Sequence, residues 1–384
     1  MAPDKLQHAD YDTAWICALP LELAAAKTML EQTHPSPPQA PSDQNSYTLG
    51  RISGHNVVLV CLPSGTYGTT SAATVLSQML STFSSIAYGL MVGIGGGVPA
   101  PGNDGSIDIR LGDVVVSTPS GLSGGVIQHD HGKALSDNFF ENTGSFNRPP
   151  PVLLSAVSQM RSNHMVNGLE IQATIADKVA RHEYMKEHFS RPDRDWLFNA
   201  TYNHCKNATD CSACDQMQLV DRISRKSLEP RIHYGLIASG NQVIKDAQTR
   251  DLVAQGLGGG ILCFEMEAAG LVNQLPCLVI RGISDYCDSH KQDDWQGYAA
   301  LSAAAYAKVL LTLVPVGGGF DRPWMDSAEQ EQAKHYEFNN SGSGPQFNVN
   351  GGAQSNNTGD GNQFLGSFHG PVSFGRPFVA SSDF

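Results

Sequence analysis

Basic residues are in short supply in this 384-residue chain: 25 Lys and Arg stand against 37 Asp and Glu, a formal charge of -12. No basic stripe is available to replace phosphate counterions, which argues against a nucleic-acid partner and means that an anionic nucleotide would have to meet local cations. Long apolar runs are missing too. No uncharged stretch is long enough to span a bilayer, and the apolar segment from Ala299 to Val316 contains Lys308 and reads as a closing amphipathic helix. Met1-Ala2-Pro3-Asp4-Lys5 leads into polar residues with no apolar signal core, so the expectation is a cytoplasmic protein with no membrane partner. Cysteine is too sparse for a disulfide framework. There are 8, and five of them (Cys17, Cys61, Cys263, Cys277, Cys287) lie in or beside apolar segments, which predicts reduced thiols.

What is present suits a large core, with 41% apolar residues and 16% charged. Short apolar strands are expected at 13–17, 56–62, 88–92, 113–117, 231–238, 260–264 and 277–282. They alternate with helical stretches at 20–30, 68–82, 152–161, 246–254, 267–274 and 295–313. This alternation indicates an α/β three-layer sandwich around a mixed, mostly parallel sheet. Ligands of such sheets sit at the carboxyl ends of the strands, where Glu22, Gly93, Ser239, Glu265 and Asp285 fall.

Two strings carry most of the chemistry: Phe264-Glu265-Met266-Glu267-Ala268-Ala269-Gly270 and Leu278-Val279-Ile280-Arg281-Gly282-Ile283-Ser284-Asp285. They bring three carboxylates and a guanidinium towards one crevice. A carboxylate can accept hydrogen bonds from both hydroxyls of a ribose diol, and a protonated Asp can donate to a heteroaromatic nitrogen as a glycosidic bond breaks. The glycines Gly93, Gly95, Gly96 and Gly97 form a strand-exit loop, read equally as a tight structural turn or as backbone open to a ligand. No Lys-Ser/Thr follows, which excludes a Walker loop.

These strings, together with Ile16-Cys17-Ala18-Leu19-Pro20-Leu21-Glu22, Val92-Gly93-Ile94-Gly95-Gly96-Gly97-Val98, Leu111-Gly112-Asp113-Val114-Val115-Val116-Ser117 and Gly235-Leu236-Ile237-Ala238-Ser239-Gly240-Asn241, resemble the purine nucleoside phosphorylase and uridine phosphorylase superfamily. The likeness is strongest to its nucleosidase-like branch and to fungal members that serve immune-type proteins, and it runs from about Tyr11 to about Pro315. The resemblance implies that Glu22 and Arg281 hold the attacking water. It implies that Glu267 binds the ribose hydroxyls over Met266, with Glu265 behind it, and that Asp285, oriented by Ser284, protonates the leaving purine. Gly93, Ile94, Gly95, Ser239 and Ser64 are then expected to shape the pocket, with the backbone at Val243 and Ile244 at the adenine edge. Trimeric and hexameric phosphorylases of the superfamily bind phosphate through an Arg where this chain has Glu22, and carry an Arg and a Ser where it has Met91 and Ile94. Hydrolysis is favoured on that ground, and phosphorolysis stays the alternative. From the residues alone, Glu22 reads first as a first-turn helix acid, and the missing phosphate-binding arginines are what favour the water-holding role.

His129, His131, Lys133 and Arg181 are candidate contacts to a 5′-phosphate, although Gln128 to Lys133 also reads as a polar surface hairpin. His204, Cys205, Cys211 and Cys214 contain one Cys-x-x-Cys and form a weak zinc candidate; neither a metal nor a cofactor is required. Residues 1–318 are expected to form the catalytic domain, with an insertion at about 118–230 that covers the 5′ side of the ligand or builds an oligomer interface. Residues 319–336 read as a linker. Residues 337–384 are rich in Asn, Gly, Gln and Ser and read as a tail that is disordered or amyloid-prone, resembling the signalling motifs of fungal NOD-like receptor systems. The expectation is an oligomeric hydrolase of adenine nucleosides or nucleotides (AMP or ATP), acting as an immune-type effector whose tail meets a receptor or templating partner. A catalytically silent nucleotide-binding assembly module is the other reading.

Overall fold

The computed structural model describes residues 6–99, 107–134, 140–168, 171–205 and 208–317. The expected linker and tail lie outside these residues.

Apolar, β-branched segments build the sheet. β1 (Thr13–Cys17) is buried at every position and lies between β4 (His55–Cys61) and β5 (Tyr88–Gly97), parallel to both. β5 runs parallel to β12 (Cys277–Asp285), and β6 (Val114–Ser117) joins β12 antiparallel. β6 and β11 (Ile261–Glu265) flank β10 (Ile232–Ser239), parallel to it, and short β7 (Val126–Gln128) also pairs with β10. On the other side, β3 (Tyr47–Ile52) and β2 (Gln32–His34) extend the sheet antiparallel from β4. β11 also pairs antiparallel with the end of β5, through Phe264 opposite Gly96 and Cys263 opposite Gly97. The far end of the sheet thereby curls back on itself and brings the ends of β5, β11 and β12 together. β8 (Gly132–Ala134) and β9 (Phe140–Asn142) form a separate ribbon.

Helices cover the sheet: α1 (Pro20–Met29), α2 (Thr69–Thr82), α3 (Pro151–Asn167), α4 (Ile171–Arg181), α5 (Glu183–Phe189), α6 (Ala247–Gly256) and α7 (Gln296–Leu311). The result is the expected α/β fold around a mixed sheet. One core runs through Ile16, Val58, Val60, Leu76, Met91, Val115, Ile237, Val279 and Ile283. Each such side chain contributes about 1.5–3 kcal/mol of burial.

Several local expectations differ from the structure. The segment 267–274 has helix-forming composition but makes only a 3₁₀ turn at Ala268–Gly270. A Cβ on Gly270 would lie 2.0 Å from the Thr69 carbonyl oxygen, so the packing of α2 overrides the local preference. The closing helix is not amphipathic: α7 is buried on nearly all sides because β12, β5, α1 and α4 surround it. The insertion contributes α3 to α5, and its last part is held to β6 by Asp113. That carboxylate is 1% exposed and receives Arg225 Nη1 at 2.6 Å, Arg225 Nη2 at 2.7 Å and the Arg231 amide at 2.9 Å, with His233 Nε2 at 2.9 Å. Burial would raise its pKa, but Arg225 and His233 outweigh that and hold it below the usual value.

Candidate active site

Pro20 starts α1 directly after β1, which places Glu22 in the first helical turn. Its Oε2 accepts from the amides of Ala18 at 2.7 Å and Leu19 at 2.9 Å, so the helix-terminus role is real. Its Oε1 turns the other way, accepting from the Ile94 amide at 2.8 Å and facing Arg281 Nη1 at 3.9 Å. One carboxylate thus serves both the helix and the crevice. Burial raises its pKa, opposed by Arg281 and the three amides.

Gly93 allows this approach. A Cβ there would stand 2.3 Å from Glu22 Oε1 and 2.6 Å from Arg281 Nη1. Gly93 is opposite Arg281 in the β5–β12 register, so the bare backbone of one strand makes room for the guanidinium of its neighbour. Arg281 is 1% exposed. Its Nη1 donates to the Ile94 carbonyl at 3.2 Å, and its Nη2 donates to Glu265 and, at 3.4 Å, to Glu267. Burial works against its charge, but Glu265, Glu267 and Glu22 raise its pKa further.

Glu265 accepts from the amides of Glu267 at 3.1 Å and Ala268 at 3.0 Å, fixing the turn that presents Glu267. Glu267 Oε1 accepts from the Gly68 amide at 3.3 Å. Desolvation, against the pull of Arg281 and with Glu265 and Glu22 adding to it, pushes its pKa up to about 7. Met266 beside it is half-buried.

At the end of β12, Asp285 Oδ2 accepts from Ser284 Oγ at 2.9 Å and from Lys291 Nζ at 2.8 Å, while Oδ1 accepts from the Cys287 amide at 2.9 Å. Sequence reasoning missed Lys291, which sits in an irregular loop six residues past the motif. A cavity of about 440 Å³ opens beside Asp285 and Lys291, walled by Arg194, Trp196 and Cys211 from the insertion. The insertion therefore covers the Asp285 end of the crevice. Also missed was a clasp across its rim, in which Asn241 Oδ1 accepts from the Thr69 amide at 3.0 Å and Asp130 Oδ2 accepts from the Asn241 amide at 2.7 Å.

Glu22, Gly93, Ile94, Gly95, Glu265, Glu267 and Arg281 form one contact network, with Ser284 reaching it through the Gly95 carbonyl at 3.4 Å. Ser239 anchors the 3₁₀ turn by accepting from the Ala269 amide at 3.0 Å. Ile244 packs into a small apolar cluster with Phe264 and Cys287, whereas Val243 is 44% exposed and Ser64 is exposed. The four candidate phosphate contacts do not form one cradle. His129 is buried edge-on against Phe264, and desolvation lowers its pKa. His131 and Lys133 are exposed, and Arg181 pairs with Asp177 at 2.6 Å across one helical turn. His204, Cys211 and Cys214 come together beyond Asp285, with Cys205 exposed next to them. All eight cysteines are unpaired, and no described helix is long and apolar enough to cross a membrane.

Comparison with known proteins gives the chain's family and its fold relatives. The sequence pattern of the Phosphorylase superfamily matches residues 12–315, and that of the Sigma domain on NACHT-NTPases matches residues 335–375. Over 306 residues the chain is 46% identical to a nucleotide-binding leucine-rich repeat (NLR)-like protein of Hyaloscypha variabilis, covering 79% of this chain and only 29% of that relative. It is 24% identical over 306 residues to the 5′-methylthioadenosine/S-adenosylhomocysteine nucleosidase of Mycobacterium bovis, covering 78% of this chain and 96% of the nucleosidase. Among solved structures, the corresponding nucleosidase of Neisseria meningitidis, in complex with methylthio-immucillin-A, superposes with a TM-score of 0.51 at 15% identity, covering 78% of this chain and 98% of the other. The S-adenosylhomocysteine nucleosidase of Streptococcus pyogenes gives 0.51 at 16% identity, covering 80% and 98%. At those identities the likeness is one of fold.

Proposed function

Because the chain belongs to the phosphorylase superfamily, we propose that its crevice hydrolyses the N-glycosidic bond of purine nucleosides or nucleotides, with adenine as the base. The observation that carries this reading is the joint approach of Glu22 and Arg281 over Gly93. A carboxylate stands where a phosphate dianion would need cations, and phosphorolysis has no such cradle there. The nucleosidase relative supports the same chemistry.

In the proposed reaction Glu22 and Arg281 hold a water molecule, and Glu22 takes its proton as the oxygen bonds to C1′. The C1′–N9 bond breaks and its electron pair passes to the purine. N7 receives a proton that Lys291 passes through Asp285, which leaves a neutral amine beside the carboxylate, with Ser284 holding Asp285 in line. Glu267 accepts from the 2′ and 3′ hydroxyls, and its charge favours the cationic sugar of the transition state. The expectation that the tail links the enzyme domain to a receptor or templating partner is supported by the match of residues 335–375 to a Sigma domain and by the NLR-like relative. It stands as part of the same proposal, as do an oligomeric state and an immune-effector role.

The test is to incubate the protein with adenosine, methylthioadenosine, AMP and ATP and follow free adenine by chromatography. Release of adenine from at least one of them supports the proposal, and cleavage of AMP or ATP over the nucleosides assigns nucleotides. If none of the four yields adenine, the domain is a binding module.

A further inference from the structure

Beyond the crevice, the part of the insertion that covers Asp285 has almost no regular structure. Among its described residues the elements are two 3₁₀ turns, Cys211–Ala213 and Gln216–Gln218, and one bridge between Phe198 and Leu219. Its apolar cluster is small: Phe198, Cys211 and Cys214, with Trp196, Tyr202 and Leu219 packed around them. Segments with so little core are commonly fastened by a covalent or metal staple, and disulfides do not supply one here.

We propose that His204, Cys211 and Cys214 bind a zinc ion that staples residues 204–214 of the insertion together beside the loop following β12. One ligand atom from each of the three lies within 4.8 Å of the others. Tetrahedral zinc, with bonds of about 2.0–2.3 Å, sets its ligands roughly 3.3–3.8 Å apart, so a shift of about 1 Å closes the site. The backbone already holds that shape. Asp210 Oδ1 accepts from the Ser212 amide at 2.8 Å, and the Cys214 amide donates to the Cys211 carbonyl at 3.1 Å. His204 Nε2 lies 3.1 Å from the Asp210 carbonyl, which can only accept. That contact puts the proton on Nε2 and leaves Nδ1 free as a ligand, an arrangement common among metal-bound imidazoles. Gln292 Nε2 points a donor at Cys211 Sγ from 3.1 Å, suited to a thiolate.

A second, independent observation points into the same place. His290 is 8% exposed, stacks on Phe198 at 4.0 Å and meets the His204 ring edge-on at 5.5 Å, yet both of its ring nitrogens are buried without a hydrogen-bond partner. Such groups are costly to leave unpaired. A water molecule on the fourth corner of the zinc would give one of them a donor. Binding balances simply: two thiols lose their protons to solvent and the thiolates and imidazole take the metal. Because His204 donates its amide to Ser289 Oγ at 2.9 Å and Gln292 donates to Cys211 Sγ at 3.1 Å, hydrogen bonds hold the stapled segment against residues 289–292, which include Lys291, the partner of Asp285.

The full chain, purified under reducing conditions without chelators and exchanged into buffer containing stoichiometric zinc and then into metal-free buffer, is expected to retain roughly one zinc per chain by mass spectrometry. Cobalt substitution should give the visible absorption of tetrahedral thiolate ligation. The Cys211→Ser/Cys214→Ser double variant should retain less than about a tenth of the zinc and show no cobalt spectrum. If that variant does not fold, the wild-type chain decides alone: chelation should free two titratable thiols and raise amide exchange at 198–219 and 286–292. Wild-type protein that retains no zinc, a Cys211–Cys214 disulfide in the reduced preparation, or a folded double variant that still holds zinc would each overturn the assignment.

Discussion

Substituting Gly93→Ala adds a single methyl group, and the structure says where it goes. The new Cβ would lie 2.3 Å from Glu22 Oε1 and 2.6 Å from Arg281 Nη1, whereas ordinary contact begins at 3.4 Å. Something must yield by about 1 Å, and neither neighbour is free to do so. Glu22 is held by three backbone amides, and Arg281 by Glu265, Glu267 and the Ile94 carbonyl. Overpacking of this kind costs about 1–3 kcal/mol of stability. A displacement of about 1 Å in a water-holding pair costs on the order of 10²-fold in turnover. The expected result is therefore a folded protein with a modestly lowered Tm, whose kcat for adenine release falls about 100-fold while KM changes little, because Glu267 and Asp285 still grip the sugar and base. Turnover within threefold of the wild type would refute the reasoning, as would a variant structure in which the Glu22 carboxylate has not moved.

Asp285→Asn should lower kcat by about 10²-fold or more with only a small loss of binding, read by single-turnover kinetics, because proton delivery is realised in the transition state. Glu267 must be ionised to accept from both hydroxyls, and its pKa lies near 7, so kcat/KM should fall as pH drops through about 7 and Glu267→Gln should lose that limb along with most activity. The same raised pKa means that the folded protein binds the extra proton between about 4.5 and 7, so the ligand-free protein should gain stability from this group as pH falls across that window. Asp113→Asn leaves Arg225 without its buried partner and should cost about 3–5 kcal/mol in denaturant unfolding, with activity lost only as the protein unfolds. Because the Asp113 pKa is depressed, its contribution is present above the usual carboxylate value and disappears as pH falls through the native one.

The strands and the crevice were largely legible because buried strands read as unbroken apolar runs, and because the crevice side chains follow directly at their carboxyl ends, as Glu22, Gly93, Glu265 and Asp285 do. What escaped was set by distant packing. β3 is interrupted in sequence by Gly50, which is there because a Cβ would meet the Gln32 carbonyl at 2.4 Å. The Glu-Ala-Ala run after β11 makes one 3₁₀ turn, because Glu265 takes its first amides and α2 blocks its continuation. Lys291 and the Asn241–Asp130 clasp lie in irregular loops, where no period announces a side chain and only the folded chain brings it to its partner.

The central claim is that water, positioned by Glu22 and Arg281, is the nucleophile. It is tested by running the reaction in ¹⁸O-labelled water, with and without added phosphate, and weighing the sugar product at an early time point. The account predicts adenine release at the same rate in both buffers, with the label on the anomeric oxygen of a free sugar; a requirement for phosphate, with an unlabelled sugar 1-phosphate as product, would contradict it.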